Sequence, residues 1–137
     1  MDKKLEGYIY TTLKSSDGNH HETKADATCT SQGDSYQIEF TEQQEPNTLC
    51  TLKFDKKQLV MERKDLQSTH KLNFLNNSEL TGLLTYPFGE FKINGKTNRY
   101  HYETKKNGFI INLDYHLNLQ GEITQYEVQF RFERKEK

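Results

Sequence analysis

Along most of this chain apolar and polar residues alternate one by one, the spacing that puts side chains on the two faces of a β-strand. Leu5, Gly7, Ile9, Thr11 and Leu13 share one face of a first strand, which ends at Ser15-Ser16-Asp17-Gly18-Asn19. The return strand sets His21, Thr23, Ala25, Ala27 and Cys29 on one side and Glu22, Lys24, Asp26 and Thr28 on the other. Gln32-Gly33 then turns the chain into Tyr36, Ile38 and Phe40. Pairing across that turn predicts Cys29 beside Tyr36, Ala27 beside Ile38 and Ala25 beside Phe40. Small side chains then face large ones, as a filled interior requires.

A loop is expected over residues 43–47, which include Pro46. Short strands follow around Cys50-Leu52-Phe54, around Leu59-Met61 and over residues 66–74, parted by Asp55-Lys56-Lys57 and Lys64-Asp65. Residues 58–66 are the one stretch where a short helix competes with a strand. Asn76-Asn77-Ser78 makes a further turn before Leu80, Gly82, Leu84 and Tyr86.

In the last third, Lys105-Lys106-Asn107-Gly108 reads as a hairpin loop with Gly at the left-handed position. Its register sets Tyr102 against Ile111 and Tyr100 against Leu113 on one face, with Arg99 against Asp114 on the other. A second hairpin at Asn118-Leu119-Gln120-Gly121 predicts Tyr115 with Thr124, Leu113 with Tyr126, Ile111 with Val128 and Phe109 with Phe130. Phe91 and Ile93 are odd-numbered apolar positions whereas Tyr100 and Tyr102 are even, so a residue is gained or lost between them. Either Asn94-Gly95 is a tight hairpin or one long strand carries a bulge; the bulge is preferred, because a long bent strand suits a barrel.

About ten short antiparallel strands admit a meander, a sandwich or a barrel. Closure removes the open edges on which sheets aggregate. The fold class expected is therefore all-β: a single antiparallel β-barrel of about 8–10 strands over residues 1–137.

Composition refines this picture. The apolar share is only 32%, yet eight Tyr, eight Phe and a net charge of −1 argue against disorder. A thin sheet with one buried face fits better. With 19 Lys and Arg against 20 Asp and Glu, the chain lacks the basic excess of a nucleic-acid binder. No apolar run approaches the ~18 residues of a membrane span, and the opening Met1-Asp2-Lys3-Lys4-Leu5-Glu6 does not lead into a signal-peptide core. Cys29 and Cys50 form no C-x-x-C pair and sit in strand-like stretches, so free buried thiols and a cytoplasmic location are expected.

Leu84-Thr85-Tyr86-Pro87-Phe88-Gly89-Glu90, then Thr97, then Gly108-Phe109-Ile110-Ile111-Asn112-Leu113-Asp114-Tyr115-His116-Leu117 form a recognisable pattern. It resembles the YwiB-like family of small uncharacterised bacterial proteins over residues 54–133. The resemblance implies a calycin-type (lipocalin-like) β-barrel and unbroken pairing through Asn94-Gly95. It implies no activity, ligand, cofactor or catalytic residue.

Candidate chemistry is sparse. His20 and His21 are strand neighbours and point to opposite faces, while His101 and His116 fall on the outer face, with His116 opposite Thr97; no metal site is expected. His70 shares the alternation of Leu66, Leu72 and Phe74 and points inward, where it can orient a ligand or simply pair with backbone. Tyr36, Tyr86, Tyr100, Tyr102, Tyr115 and Tyr126 fall on inward positions too. These phenols either line a pocket for a small apolar or aromatic molecule or fill a narrow barrel. Arg99 points out and is read as structural.

Three functions follow. The first is a small-molecule-binding barrel with the ligand-facing set Tyr36, His70, Tyr86, Tyr100, Tyr102, Tyr115 and Tyr126. The second is a protein-interaction domain or homodimer around a plugged barrel. The third is an acid–base enzyme of the phenolic-acid-decarboxylase type, which needs an inward Arg and Glu besides Tyr.

Overall fold

The computed structural model describes residues 3–42, 48–119 and 121–135. The loop expected at residues 43–47 and residue Gln120 of the last hairpin lie outside them. Ten strands run in order: β1 (Lys3–Ser15), β2 (His20–Gln32), β3 (Ser35–Glu42), β4 (Thr48–Phe54), β5 (Gln58–Lys64), β6 (Thr69–Leu75), β7 (Glu79–Tyr86), β8 (Gly89–Lys105), β9 (Gly108–Leu119) and β10 (Glu122–Arg134). Each pairs antiparallel with its neighbour in sequence, and β1 also pairs with β10 to close the barrel. Residues 58–64 are the strand β5, so the helical alternative there is set aside. Among the described residues no helix is long and apolar enough to cross a membrane.

Because successive strands run in opposite directions, the turns alternate between two ends. Residues 33–34, 55–57, 76–78 and 106–107 form one end; residues 16–19, 65–68 and 87–88 belong to the other. Leu66 sits in a turn held by Asp65, whose carboxylate accepts from the backbone N–H groups of Gln67 and Ser68. It is exposed and does not continue the inward row of His70, Leu72 and Phe74.

Two hairpin registers differ from expectation by two residues. Ser31 pairs with Tyr36, Cys29 with Ile38 and Ala27 with Phe40. In the last hairpin Tyr115 pairs with Tyr126, Leu113 with Val128, Ile111 with Phe130 and Phe109 with Phe132. The β2–β3 turn falls one residue later than Gln32-Gly33, with Gln32 already paired to Ser35, whereas the last hairpin closes two residues tighter than the loop expected there, with Leu119 paired to Glu122. A shift of two leaves every side chain on its face, so the inside–outside assignment survives. The β8–β9 register is as expected, with Tyr102 on Ile111, Tyr100 on Leu113 and Arg99 on Asp114; His116 pairs with Lys96, one place from Thr97.

β8 is unbroken through Asn94-Gly95, and its register slips between Thr97 and Arg99, making Asn98 the bulged residue. Gly95 allows this course, since a Cβ there would collide with the His116 carbonyl of β9. Beyond Lys96, β8 outruns β7, and the β6–β7 turn takes over as its partner. Thr97 N–H donates to the Ser78 carbonyl at 2.9 Å and Tyr100 N–H to Asn76 Oδ1 at 2.9 Å.

This turn-bearing end is filled. Tyr36, Phe54, Tyr102 and Phe109 pack ring on ring with centroids 4.6–6.3 Å apart. Tyr100 is 3% exposed, and its hydroxyl donates to the Asp55 carbonyl at 2.6 Å. Tyr100→Phe should therefore cost about 0.5–1.5 kcal/mol, the worth of one hydrogen bond. Tyr100→Ala should cost about 3–5 kcal/mol through the hole it leaves. Exposed Arg99→Ala should stay within about 0.5 kcal/mol. Urea unfolding of the three variants measures this order.

Candidate functional site

The opposite half of the barrel is open. A cavity of about 490 Å³ runs inward from that end. Its wall is largely apolar, with Leu72, Leu84, Ile93, Leu117, Val128 and Phe130 among the side chains that face it. Polar groups gather at the mouth for a reason legible in strand alternation. On β3, β5, β6 and β7 the last inward position before the open end is Glu42, Arg63, His70 and Tyr86 respectively.

These groups are joined in two sets. Arg63 Nη2 donates to Glu42 Oε2 at 2.8 Å, and the Cys50 thiol donates to Glu42 Oε1 at 3.1 Å. Cys50, Arg63 and His70 are successive cross-strand partners on β4, β5 and β6. Arg63 Nε is buried without a hydrogen-bond partner among the described residues, and so is Thr11 Oγ1, elsewhere in the lining. In the second set His70 Nε2 lies 3.1 Å from the Tyr86 hydroxyl, and the Tyr86 ring stacks on exposed Phe88.

Electrostatics define what these groups can do. Burial opposes the charge on Arg63, but Glu42 and Cys50 hold its pKa above the ordinary value. Burial, reinforced by Glu42, pushes the Cys50 thiol up to about 12, and burial alone takes Cys29 to about 11. Both cysteines are free and neither is a thiolate nucleophile. Burial and the charge of Arg63 lower His70, with Asp65 opposing them. Burial raises Tyr115 and Tyr126, which stack on one another 5.0 Å apart, so both present O–H donors.

The residues singled out from sequence divide between the two halves. His70, Tyr115 and Tyr126 line the cavity, and Tyr86 holds His70 from the rim. Tyr36, Tyr100 and Tyr102 do not line it; they belong to the filled end. Sequence reasoning missed Arg63 and Glu42. Arg63 continues the inward row Leu59-Met61, and Glu42 the row Tyr36-Ile38-Phe40, so the same alternation places both. Arg99, the arginine weighed from sequence, is exposed on the outer face.

A larger depression of about 670 Å³ lies outside the barrel between Tyr8, Tyr10, Arg131 and Lys135. Two of the cations that line it, Arg131 and Lys135, are already engaged. Arg131 pairs with Glu133 and covers Tyr10, while Lys135 pairs with Asp26 and covers Tyr8. Among the described residues no three His, Cys, Asp or Glu side chains are grouped to hold a metal ion. The barrel mouth is the site with chemistry to offer.

The lowered pKa of His70 has a defined sign in stability. The unfolded chain takes up the proton more readily than the folded one, so stability falls as pH drops below the unfolded value of about 6.5. Between about pH 7.5 and pH 5.5 the protein should lose more stability than its His70→Gln variant. Urea midpoints at the two pH values measure this; a greater loss in the variant would mean that the folded protein favours the protonated ring.

No curated protein matches the chain. Among solved structures it is similar to the ywiB protein from Bacillus subtilis, with a TM-score of 0.75 and 11% identity over 98% of this chain and 94% of that one. The likeness is one of fold, and it bears out the YwiB-like antiparallel β-barrel expected from sequence. A family model, a domain of unknown function (DUF1934), matches residues 9–130. That match spans most of the chain, which therefore belongs to the DUF1934 family.

Proposed function

We propose that the open half of the barrel binds one small molecule with an apolar body and a polar end. The observation that carries this reading is the cavity of about 490 Å³, apolar within and polar at its mouth. Protein interiors pack to near-crystalline density, and voids much larger than a water forfeit contacts on every side. A space of this size falls in the range of ligand sites, roughly 300–1,000 Å³. Two free, buried cysteines support work in a reducing compartment such as the cytoplasm.

Inward Arg63 and Glu42 also supply groups that the acid–base alternative requires. Yet both Glu42 oxygens are occupied, by Arg63 and by Cys50, and His70 is engaged by Tyr86. Each candidate base is thus already held in a hydrogen bond, which favours binding over catalysis.

The neutral dye N-phenyl-1-naphthylamine tests the reading. Its fluorescence should rise and shift to the blue on titration with the protein, saturating at one dye per chain. Val128→Trp fills the cavity with a bulky ring and should weaken that binding about tenfold or more. No uptake by the unaltered protein, or equal uptake by a folded Val128→Trp variant, would remove the cavity as the binding site.

A further inference from the structure

We infer that the polar end of the ligand is a carboxylate, read by Arg63, and that Glu42 is the internal counter-ion it displaces. The inference rests on the cavity's being a binding site and adds the chemical class of its occupant. Arg63 offers a planar fork of donors suited to carboxylates. Glu42 uses one arm of that fork, with a carboxylate oxygen 2.8 Å from Nη2. The pairing leaves Nε buried and without a partner among the described residues. Buried donors in native proteins are nearly always satisfied, so this one points to a missing acceptor.

The surroundings disfavour an ammonium or an alcohol in that place. An ammonium would sit beside the fixed charge of Arg63 and would have to share Glu42 with it. Cys50 stays a protonated thiol and adds no negative charge to attract a cation. An alcohol cannot replace Glu42 as the counter-charge of Arg63 and would gain only a weaker, neutral-acceptor hydrogen bond there. The wall beyond the mouth, built from Leu72, Leu84, Ile93, Leu117 and Val128, carries no charge and accepts the apolar remainder.

Glu42 is placed to yield. It is the last residue of β3, at the open end, and its side chain is 19% exposed against 42% for Arg63. Water thus reaches both partners. Exchanging one carboxylate for another keeps Arg63 neutralised throughout, and the displaced Glu42 has solvent beside it. The consequence runs against intuition: removing an acidic side chain from the site should strengthen binding of an acid.

Displacement of N-phenyl-1-naphthylamine by dodecanoate, 1-dodecanol and dodecylamine at about pH 8, where the acid is ionised and His70 is neutral, tests this. Dodecanoate should displace the dye about tenfold more tightly than either neutral or cationic analogue. Arg63→Met should abolish that preference while 1-dodecanol changes by less than about threefold. Glu42→Gln should tighten dodecanoate severalfold and leave 1-dodecanol unchanged. Equal or better displacement by 1-dodecanol from the unaltered protein would overturn the carboxylate assignment while leaving the cavity reading intact. Weaker dodecanoate binding in Glu42→Gln would overturn the counter-ion role. Dye that never binds would bring down the cavity reading, and this inference with it.

Discussion

β1 lies between β2 and β10, so the ten strands have no first or last member and the sheet has no open edge. The seam runs from Gly7 on Arg134 to Ser15 on Tyr126 and is extended at each end by backbone bonds, Lys135 N–H to Glu6 and Ser16 N–H to Gln125. Closure turns a sheet with one apolar face into a vessel with an inside. It also fixes the width of that vessel. Eight strands make a barrel that side chains just fill, and ten make a wider one. The inward rows must therefore either supply large rings or leave space.

This chain does both, at opposite ends. Toward residues 33–34 and 55–57 the inward positions are Tyr36, Phe54, Tyr102 and Phe109, which interlock, and Tyr100 ties β8 to the β4–β5 turn. Toward the other end the rows narrow to Thr11, Leu13, Thr23 and Cys50, which do not meet across the barrel, and a cavity remains. The charged pair Arg63–Glu42 stands where water and apolar wall meet. There an ion pair keeps part of its hydration and stays available to a competing charge. The interior is thus neither wholly plugged nor wholly open.

Strand alternation made the fold legible, along with the face of nearly every strand residue and the unbroken course of β8. Register was less legible for a physical reason: sliding a hairpin by two residues preserves every face, so periodicity cannot detect it, and only the turn decides. Cys29 faces Ile38 because the β2–β3 turn falls one residue later than Gln32-Gly33, and Leu113 faces Val128 because the last turn is tighter than its composition suggested. Height along the barrel axis was not legible at all. Tyr100 and Tyr115 are both inward by alternation, yet one closes the filled end and the other faces the cavity. Arg63 was within reach, one step along the row Leu59-Met61, but a charged residue at a strand end reads as solvated unless alternation is followed to the last residue.

The central claim is that one half of this barrel is packed and the other is an apolar space. Xenon enters apolar cavities without needing a polar partner, so it reports on space alone. A crystal of the protein held under xenon pressure should show the gas among Leu72, Ile93, Leu117 and Val128, and none among Tyr36, Phe54, Tyr102 and Phe109. Xenon between the four rings, or no xenon anywhere inside the barrel, would contradict the division on which the proposed site depends.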